Sequence, residues 1–160
     1  MALKNKPKPQ GFGEKISKAL KGKTKMANSI IDITSYANNP IELDVLAEGT
    51  EAELKIIGLR SGTDKNGNQY ISPMFEVLGY GENVRDFSRY IGLPGEGRTA
   101  KENVSAMGIV SKFAKAFGID LSSPFSEEDI VGKRGWAILG IEKDQDGEPV
   151  NKVNKFITGA

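Results

Sequence analysis

The sequence predicts a mainly β domain of five strands, with one α-helix between the third and fourth strands and a basic N-terminal arm before the first. Three patterns predict it: short segments alternate apolar and polar residues, turn-forming residues separate these segments, and one long segment has helical periodicity. The chain has 160 residues, and domains commonly contain about 100 to 200. We therefore expect one domain at residues 41–160, with the arm and its tether at residues 1–40.

Three strands are expected in the first half of the domain. Ala52, Leu54 and Ile56 alternate with polar residues, as in a half-buried strand. The Asn66-Gly67 pair is a strong hairpin signal, and Pro73 favours an edge or a bulge because it cannot donate a hydrogen bond. The predicted elements are strand 1 from Glu51 to Arg60, a turn from Ser61 to Asn68, strand 2 from Gln69 to Leu78 and strand 3 from Asn83 to Ile91.

The helix is predicted between Thr99 and Gly118. Thr99 and Glu102 have the spacing of a capping box, and Gly118 is a typical helix terminator. An apolar stripe follows the helical period and is expected to face the core. Its members are Val104, Met107, Val110, Phe113, Ala114 and Phe117.

The last part of the chain completes the pattern. Ser126 to Asp129 is expected to form a helical turn, Lys133 to Lys143 strand 4, Asp144 to Pro149 a turn and Val150 to Ile157 strand 5. Three strands, a helix and two strands form the order of an OB-fold, a five-stranded, partly open barrel. The face of strands 2 and 3 in that fold binds oligonucleotides or oligosaccharides.

Composition excludes several classes of enzyme. The chain has no His and no Cys, so zinc centres, histidine bases and cysteine nucleophiles are ruled out. The Gly92 to Thr99 segment lacks the spacing of a phosphate-binding loop, and loop flexibility accounts for its glycines. Pro149 stands where a calcium loop starting at Asp144 would need glycine. We expect no enzymatic activity, no cofactor and no metal.

Charge is distributed unevenly along the chain. Residues 1–25 contain eight of the 22 basic residues and one of the 21 acidic ones, so this segment carries +7 and the remainder −6. A lysine-rich segment with Pro and Gly is typical of a flexible arm. It could contact nucleic-acid phosphates, contact an anionic membrane, or serve only as a solubilising tail.

Strand 3 is the leading candidate for a binding surface. If it alternates regularly, Arg85, Phe87 and Arg89 share one face, and single-stranded nucleic acid binds surfaces that combine cations with stacking rings. The alternative places Phe87 in the core. Further candidate stacking rings are Tyr70 and Trp136, either of which could instead be a core aromatic, and further candidate phosphate ligands are Arg60, Lys65, Lys133, Arg134 and Lys152.

Several segments resemble one family of short bacteriophage-encoded proteins. They are EGTEAELKIIGLRSGTDKNGNQYISPMFEV, SKFAKAFGIDLSS and EEDIVGKRGWAILGIEKDQDGEPVNKVNKF, within residues 48–157. Members of the family, long labelled a domain of unknown function, are commonly taken for single-stranded DNA-binding proteins with an OB-like fold. The resemblance implies DNA binding in phage replication or recombination.

The sequence therefore predicts a sequence-tolerant single-stranded DNA-binding protein of phage type, with RNA as an alternative ligand. Expected partners are phage or host replication and recombination proteins and a second copy of the chain. The alternative is a structural or protein-interaction module, such as a virion-associated or nuclease-inhibiting protein, without direct nucleic-acid contact. The first residues lack an apolar signal segment, so we expect a cytoplasmic protein, in the host cytoplasm if phage-encoded, with no membrane contact.

Overall fold

The computed structural model describes residues 29–159. The chain divides into two units, Met1–Ile41 and Glu42–Ala160, and the predicted arm at residues 1–25 lies outside the described residues. In the first unit, the described part contains one short helix, α1 (Thr34–Asn38), preceded by the exposed Ile30, Ile31 and Ile33.

The second unit is mainly β, as predicted. Its six strands form one antiparallel sheet that is not closed by backbone pairing, in the order β3-β2-β1-β5-β6, with β4 also paired to β2. The elements are β1 (Glu51–Thr63), β2 (Gln69–Leu78), β3 (Phe87–Ser88), β4 (Ile91–Gly92), α2 (Ala100–Phe117), α3 (Glu127–Ile130), β5 (Arg134–Lys143) and β6 (Pro149–Ile157).

The β1–β2 hairpin confirms the predicted second strand but shortens the predicted turn. β2 has the predicted bounds, whereas β1 continues to Thr63, because Ser61, Gly62 and Thr63 pair with the first residues of β2. The remaining loop is held by Asp64, whose Oδ1 accepts hydrogen bonds from the N–H groups of Asn66 and Asn68. This arrangement of an aspartate and the following backbone is typical of tight turns.

The predicted third strand from Asn83 to Ile91 is wrong as a continuous element. It is interrupted between Ser88 and Ile91, opposite Pro73 of β2. Pro73 has no N–H, and its carbonyl accepts from the N–H of Arg89 at 3.1 Å, so the neighbouring strand cannot pair regularly there. The break removes the strict alternation on which the sequence argument relied.

The helix α2 confirms the predicted boundaries. Thr99 and Glu102 form both hydrogen bonds of the capping box, and Gly118 ends the helix with a positive φ of 69°. The predicted stripe is wrong at its first two positions: Val104 is 74% exposed and Met107 is also exposed. Ala106 starts the buried stripe instead, since residues 106, 110, 113, 114 and 117 follow the helical period.

Five phenylalanine rings form the centre of the core. The Phe75 ring on β2 lies 5.6 Å from Phe87, 6.4 Å from Phe113, 5.4 Å from Phe117 and 6.4 Å from Phe156, measured between ring centres. These rings come from β2, the adjoining strand β3, the helix α2 and the last strand β6. The cluster therefore joins both edge strands of the sheet to the helix.

Phe87 belongs to this core, and its predicted position on an exposed binding surface is wrong. Its side chain is only 3% exposed and pairs across the strands with Phe75. We expect Phe87→Ala to lower the free energy of unfolding by about 3–5 kcal/mol, because it leaves a cavity. Urea denaturation measures this change. Tyr90→Ala removes an exposed ring that stacks on Tyr70 and should cost only about 0.5–1.5 kcal/mol, the value of one aromatic pair. Similar losses for both variants would contradict the assignment.

Candidate nucleic-acid interface

The predicted phosphate ligand Arg85 connects the two edges of the sheet. In the described residues β3 and β6 are not paired through their backbones. Instead, Arg85 donates from Nη1 to the carbonyl of Pro149 at 3.0 Å, and its Nη2 lies 2.9 Å from Oδ2 of Asp144. The side chain is 35% exposed, but its guanidinium is engaged by the last hairpin, contrary to the predicted platform.

Arg89, four residues after Arg85 in the chain, also contacts β6. It donates from Nη1 to the carbonyl of Val153 at 3.0 Å, and its guanidinium carbon lies 5.9 Å from the ring centre of Phe156. Its Nε is buried without a hydrogen-bond partner. Both arginines thus link the third-strand segment to β6, and the predicted surface of Arg85, Phe87 and Arg89 is not formed.

The other predicted residues fall into two groups. Arg60, Lys65 and Tyr70 lie where β1 and β2 meet at their hairpin. At the other end of β1, Trp136 pairs with Glu53. Gly62, which pairs with Tyr70, lies nine positions after Glu53 on β1, about 30 Å along the strand at roughly 3.3 Å per residue. Lys133 and Arg134 precede Trp136 in the chain, whereas Lys152 pairs with Gly140 four residues further along β5. The predicted residues therefore do not form one site.

Tyr70 of the first group belongs to a stacked pair of tyrosines. The rings of Tyr70 and Tyr90 are 4.8 Å apart between centres and 28° from parallel. Tyr90 is 54% exposed, while Tyr70 is half-buried. We call these two residues the tyrosine pair. It presents a flat, exposed aromatic surface on the side of the sheet opposite the core.

Two glycines provide the space in which Tyr70 and Arg98 lie. Tyr70 pairs with Gly62 on one side and with Gly92 on the other. A Cβ at Gly62 would lie 2.8 Å from the hydroxyl of Tyr70, and a Cβ at Gly92 would lie 2.7 Å from Nη2 of Arg98. Any larger residue at either position would displace these side chains, so the glycines determine the shape of the site.

An open cleft of about 610 Å³ lies beside the tyrosine pair, between the β1–β2 turn and α2. Its walls are held by local hydrogen bonds. Asn103 of α2 accepts from the N–H of Gly95 and donates to its carbonyl, and Arg98 donates from Nε to the carbonyl of Leu93 at 2.8 Å. The glycine-rich segment is therefore fixed against the helix, contrary to the flexibility expected from its sequence.

Charged groups of both signs line this cleft. Arg98, Lys101 and Asp64 are among the lining residues. Hydrogen bonding from the backbone N–H of Asn68 holds the pKa of Asp64 below its ordinary value, and the N–H of Asn66 and the nearby charge of Arg98 act in the same direction. Asp64 is therefore an ionised hydrogen-bond acceptor at neutral pH.

Sequence reasoning missed Tyr90, Arg98 and Lys101. Regular alternation along a continuous third strand puts Tyr90 on the face opposite Phe87, away from the predicted binding surface. Arg98 lies in the glycine-rich segment, which lacks a phosphate-binding motif. Tyr70 was predicted as a stacking ring, but its partner Tyr90 lies in the segment between β3 and β4 and reaches it only through tertiary structure.

The second group surrounds the single tryptophan of the chain. Trp136 is 48% exposed and lies between Glu53 of β1 and Ile157 of β6. Arg134 pairs with Lys55, which itself lies 3.4 Å from the carboxylate of Glu76. The acidic residues Glu53 and Glu76 therefore lie near the basic residues of this group, so the surface is less positive than Lys133 and Arg134 alone would make it.

Comparison with family models and with curated proteins finds no match to this chain. Within residues 29–159 no helix combines the length and the apolar character that crossing a bilayer requires. The same residues contain no group of three or more carboxylates placed to hold a metal ion. The inference of function therefore rests on the geometry of the surface.

The Arg85–Asp144 contact predicts a pH dependence of stability. The pKa of Asp144 is lowered below its ordinary 3.8, first by the hydrogen bond from Arg85 and then by the N–H of Glu148. A carboxyl with a lowered pKa stabilises the fold above its unfolded-state pKa, and this contribution disappears as the pH falls through the folded-state pKa.

We therefore expect Asp144→Asn to be less stable than the wild type at about pH 7 and to approach it at about pH 3. Asparagine retains the Oδ1 acceptor for the N–H groups of Asp146 and Glu148. Urea denaturation at both pH values measures the difference. Asp146→Asn in the same turn is the matched control and should show a smaller pH-dependent difference, while a constant gap for Asp144→Asn would refute the ionic contribution.

Proposed function

We propose that this protein binds single-stranded DNA without strong sequence preference, through the tyrosine pair and the cations around it. The observation that carries the proposal is the stack of Tyr70 on the exposed Tyr90. Arg60 pairs with Ser72 two residues from Tyr70, Lys65 lies in the adjoining turn, and Arg98 lies over Gly92. Flat aromatic rings stack with any base, and cations bind the phosphates between bases. This combination favours a nucleic-acid strand over a protein ligand.

The order of the strands supports an OB-like fold for this function. β3 and β4 together occupy the place of a third strand, followed by α2, β5 and β6, and the sheet order is that of an opened five-stranded barrel. Arg85 and Arg89 bring its two edges together where backbone pairing would otherwise close it. The tyrosine pair then lies on the face of strands 2 and 3, which is the usual ligand face of such folds.

The mechanism follows from the placement of these groups. A single strand crosses the outer face of β2, one of its bases stacks on the free face of Tyr90, and Arg60 and Lys65 neutralise neighbouring phosphates. In a duplex both faces of each base are already stacked, so Tyr90 cannot engage it without unstacking. We propose a role in phage DNA replication or recombination, in keeping with the family resemblance of residues 48–157.

Tyr90→Ala tests the stacking contribution. We expect it to cost about 1–3 kcal/mol of binding free energy, the usual value for one base–aromatic stack. Fluorescence anisotropy with a labelled single strand and with the matching duplex measures the affinities. Tyr80→Ala is the control, because Tyr80 is 47% exposed but lies away from the tyrosine pair, where its hydroxyl donates to Glu51. Equal losses for both variants, or a preference for the duplex, would contradict the proposed site.

The salt dependence of binding tests the basic residues. Each phosphate neutralised on a single strand contributes about −0.7 to the slope of log K against log salt concentration. Arg60→Ala should make the slope shallower by about that amount. Deletion of residues 1–25, which carry a net charge of +7, should flatten the slope further if the arm contacts DNA. An unchanged slope after the deletion would leave the arm as a solubilising tail.

A protein-interaction module remains the second candidate. Val104, Met107 and Ile109 expose apolar side chains on α2, and residues 26–160 carry a net charge of −6. Exposed apolar patches commonly mark protein contacts. Absence of binding to any single strand, at low salt and with the full chain, would favour this candidate over the first.

A further inference from the structure

The cleft beside the tyrosine pair has the dimensions of a small-ligand site. Its volume of about 610 Å³ lies within the range of roughly 300–1,000 Å³ that is usual for such sites. The ring of Tyr90 and the side chain of Ile109 provide apolar contacts, and both are exposed. A flat aromatic ligand could therefore lie against Tyr90 inside the cleft.

Two cations of the cleft are available to an anion. Within residues 29–159 neither Arg98 nor Lys101 takes part in a salt bridge. Arg98 is held by its Nε bond to the carbonyl of Leu93, which leaves its terminal nitrogens beside Gly92. A fixed guanidinium with unused donors is well suited to a phosphate group.

The two carboxylate oxygens of Asp64 differ in their hydrogen bonding. Oδ1 accepts from the N–H groups of Asn66 at 2.8 Å and Asn68 at 2.9 Å. Oδ2 has only a long contact of 3.5 Å from the hydroxyl of Tyr90. Asp64 therefore presents one acceptor to the cleft, beside the ring on which a base would stack. An ionised carboxylate accepts hydrogen bonds and donates none.

We propose that this cleft binds one deoxynucleotide of the strand and prefers a base that carries an exocyclic amino group. The base stacks on Tyr90, its amino group donates to Oδ2 of Asp64, and its phosphate lies at Arg98 and Lys101. This inference rests on the proposed function and adds a base preference at one position of an otherwise sequence-tolerant site. Thymine and uracil present carbonyl oxygens where cytosine presents an amino group, and Asp64 repels them.

Free nucleotides test the preference without a long strand. The nucleotides dCMP and dUMP differ at two adjoining ring positions. Cytosine has an amino group on carbon 4 and an acceptor at nitrogen 3, whereas uracil has a carbonyl oxygen on carbon 4 and an N–H at nitrogen 3. We expect the full-length chain to bind dCMP about three- to tenfold more tightly than dUMP, as the net contribution of one typical hydrogen bond allows. Backbone amide shifts of Asn68 and Gly92, followed by NMR during titration, give both dissociation constants.

Asp64→Asn should reverse the preference. Asparagine can keep its oxygen at the Oδ1 position for the turn and places an NH₂ donor at the Oδ2 position, so dUMP becomes the better ligand. Asp120→Asn is the matched control, because Asp120 also accepts from a nearby backbone N–H, that of Ser122, but lies outside the cleft. It should leave the ratio unchanged.

A second variant covers the case in which Asp64→Asn does not fold. Lys101→Met should reduce the advantage of dCMP over deoxycytidine, which lacks the phosphate, whereas Lys112→Met, outside the cleft on the same helix, should not.

Equal affinity for dCMP and dUMP in the wild type would overturn the base preference, and an unreduced phosphate advantage in Lys101→Met would overturn the phosphate site. If labelled single strands bind through Tyr90 and the cleft does not discriminate, only this inference fails. If dCMP is preferred and long strands do not bind, only the proposed function fails.

Discussion

The packing of four phenylalanine rings around Phe75 is the interaction on which the rest of this structure depends. A sheet with unpaired edges has no intrinsic reason to bring its first and last strands together. Phe75 contacts Phe87 next to one edge and Phe156 at the other, and the α2 rings Phe113 and Phe117 fill the space between them. Burial of these large rings provides a driving force of several kcal/mol, at about 25 cal/mol for each Å² of apolar surface removed from water.

The arginine contacts become possible once the rings have drawn the edges together. Arg85 and Arg89 then reach backbone carbonyls of β6 and the carboxylate of Asp144. Side chains can bridge a gap in which backbone groups would lie too far apart for a ladder. Sequence reasoning predicted the same two residues as ligands of DNA phosphates, and their contacts with β6 leave the tyrosine pair as the proposed binding surface.

The candidate site depends on the small size of two glycines as much as on attractive contacts between side chains. Gly62 and Gly92 leave room for the ring of Tyr70 and the guanidinium of Arg98. Asp64 holds the adjacent turn, and Asn103 holds the glycine-rich segment on the helix. These local bonds fix both walls of the cleft before any ligand arrives, which lowers the entropy cost of binding.

Local signals in the sequence determined the secondary structure wherever neighbouring residues alone decide it. The Thr99–Glu102 capping box, the Gly118 terminator, the Asn66-Gly67 turn and the alternation of Ala52, Leu54 and Ile56 in β1 each act within a few residues, and each was confirmed. Tyr70 could be named as a candidate ring from sequence, although its partner could not. Only tertiary structure decided which side of the chain near Phe87 is buried, because Pro73, on another strand, interrupts the pairing and shifts the alternation. Contacts between segments that are distant in sequence also determine the tyrosine pair, the position of Arg98 and the roles of Arg85 and Arg89. Periodicity along one strand contains no information about such contacts.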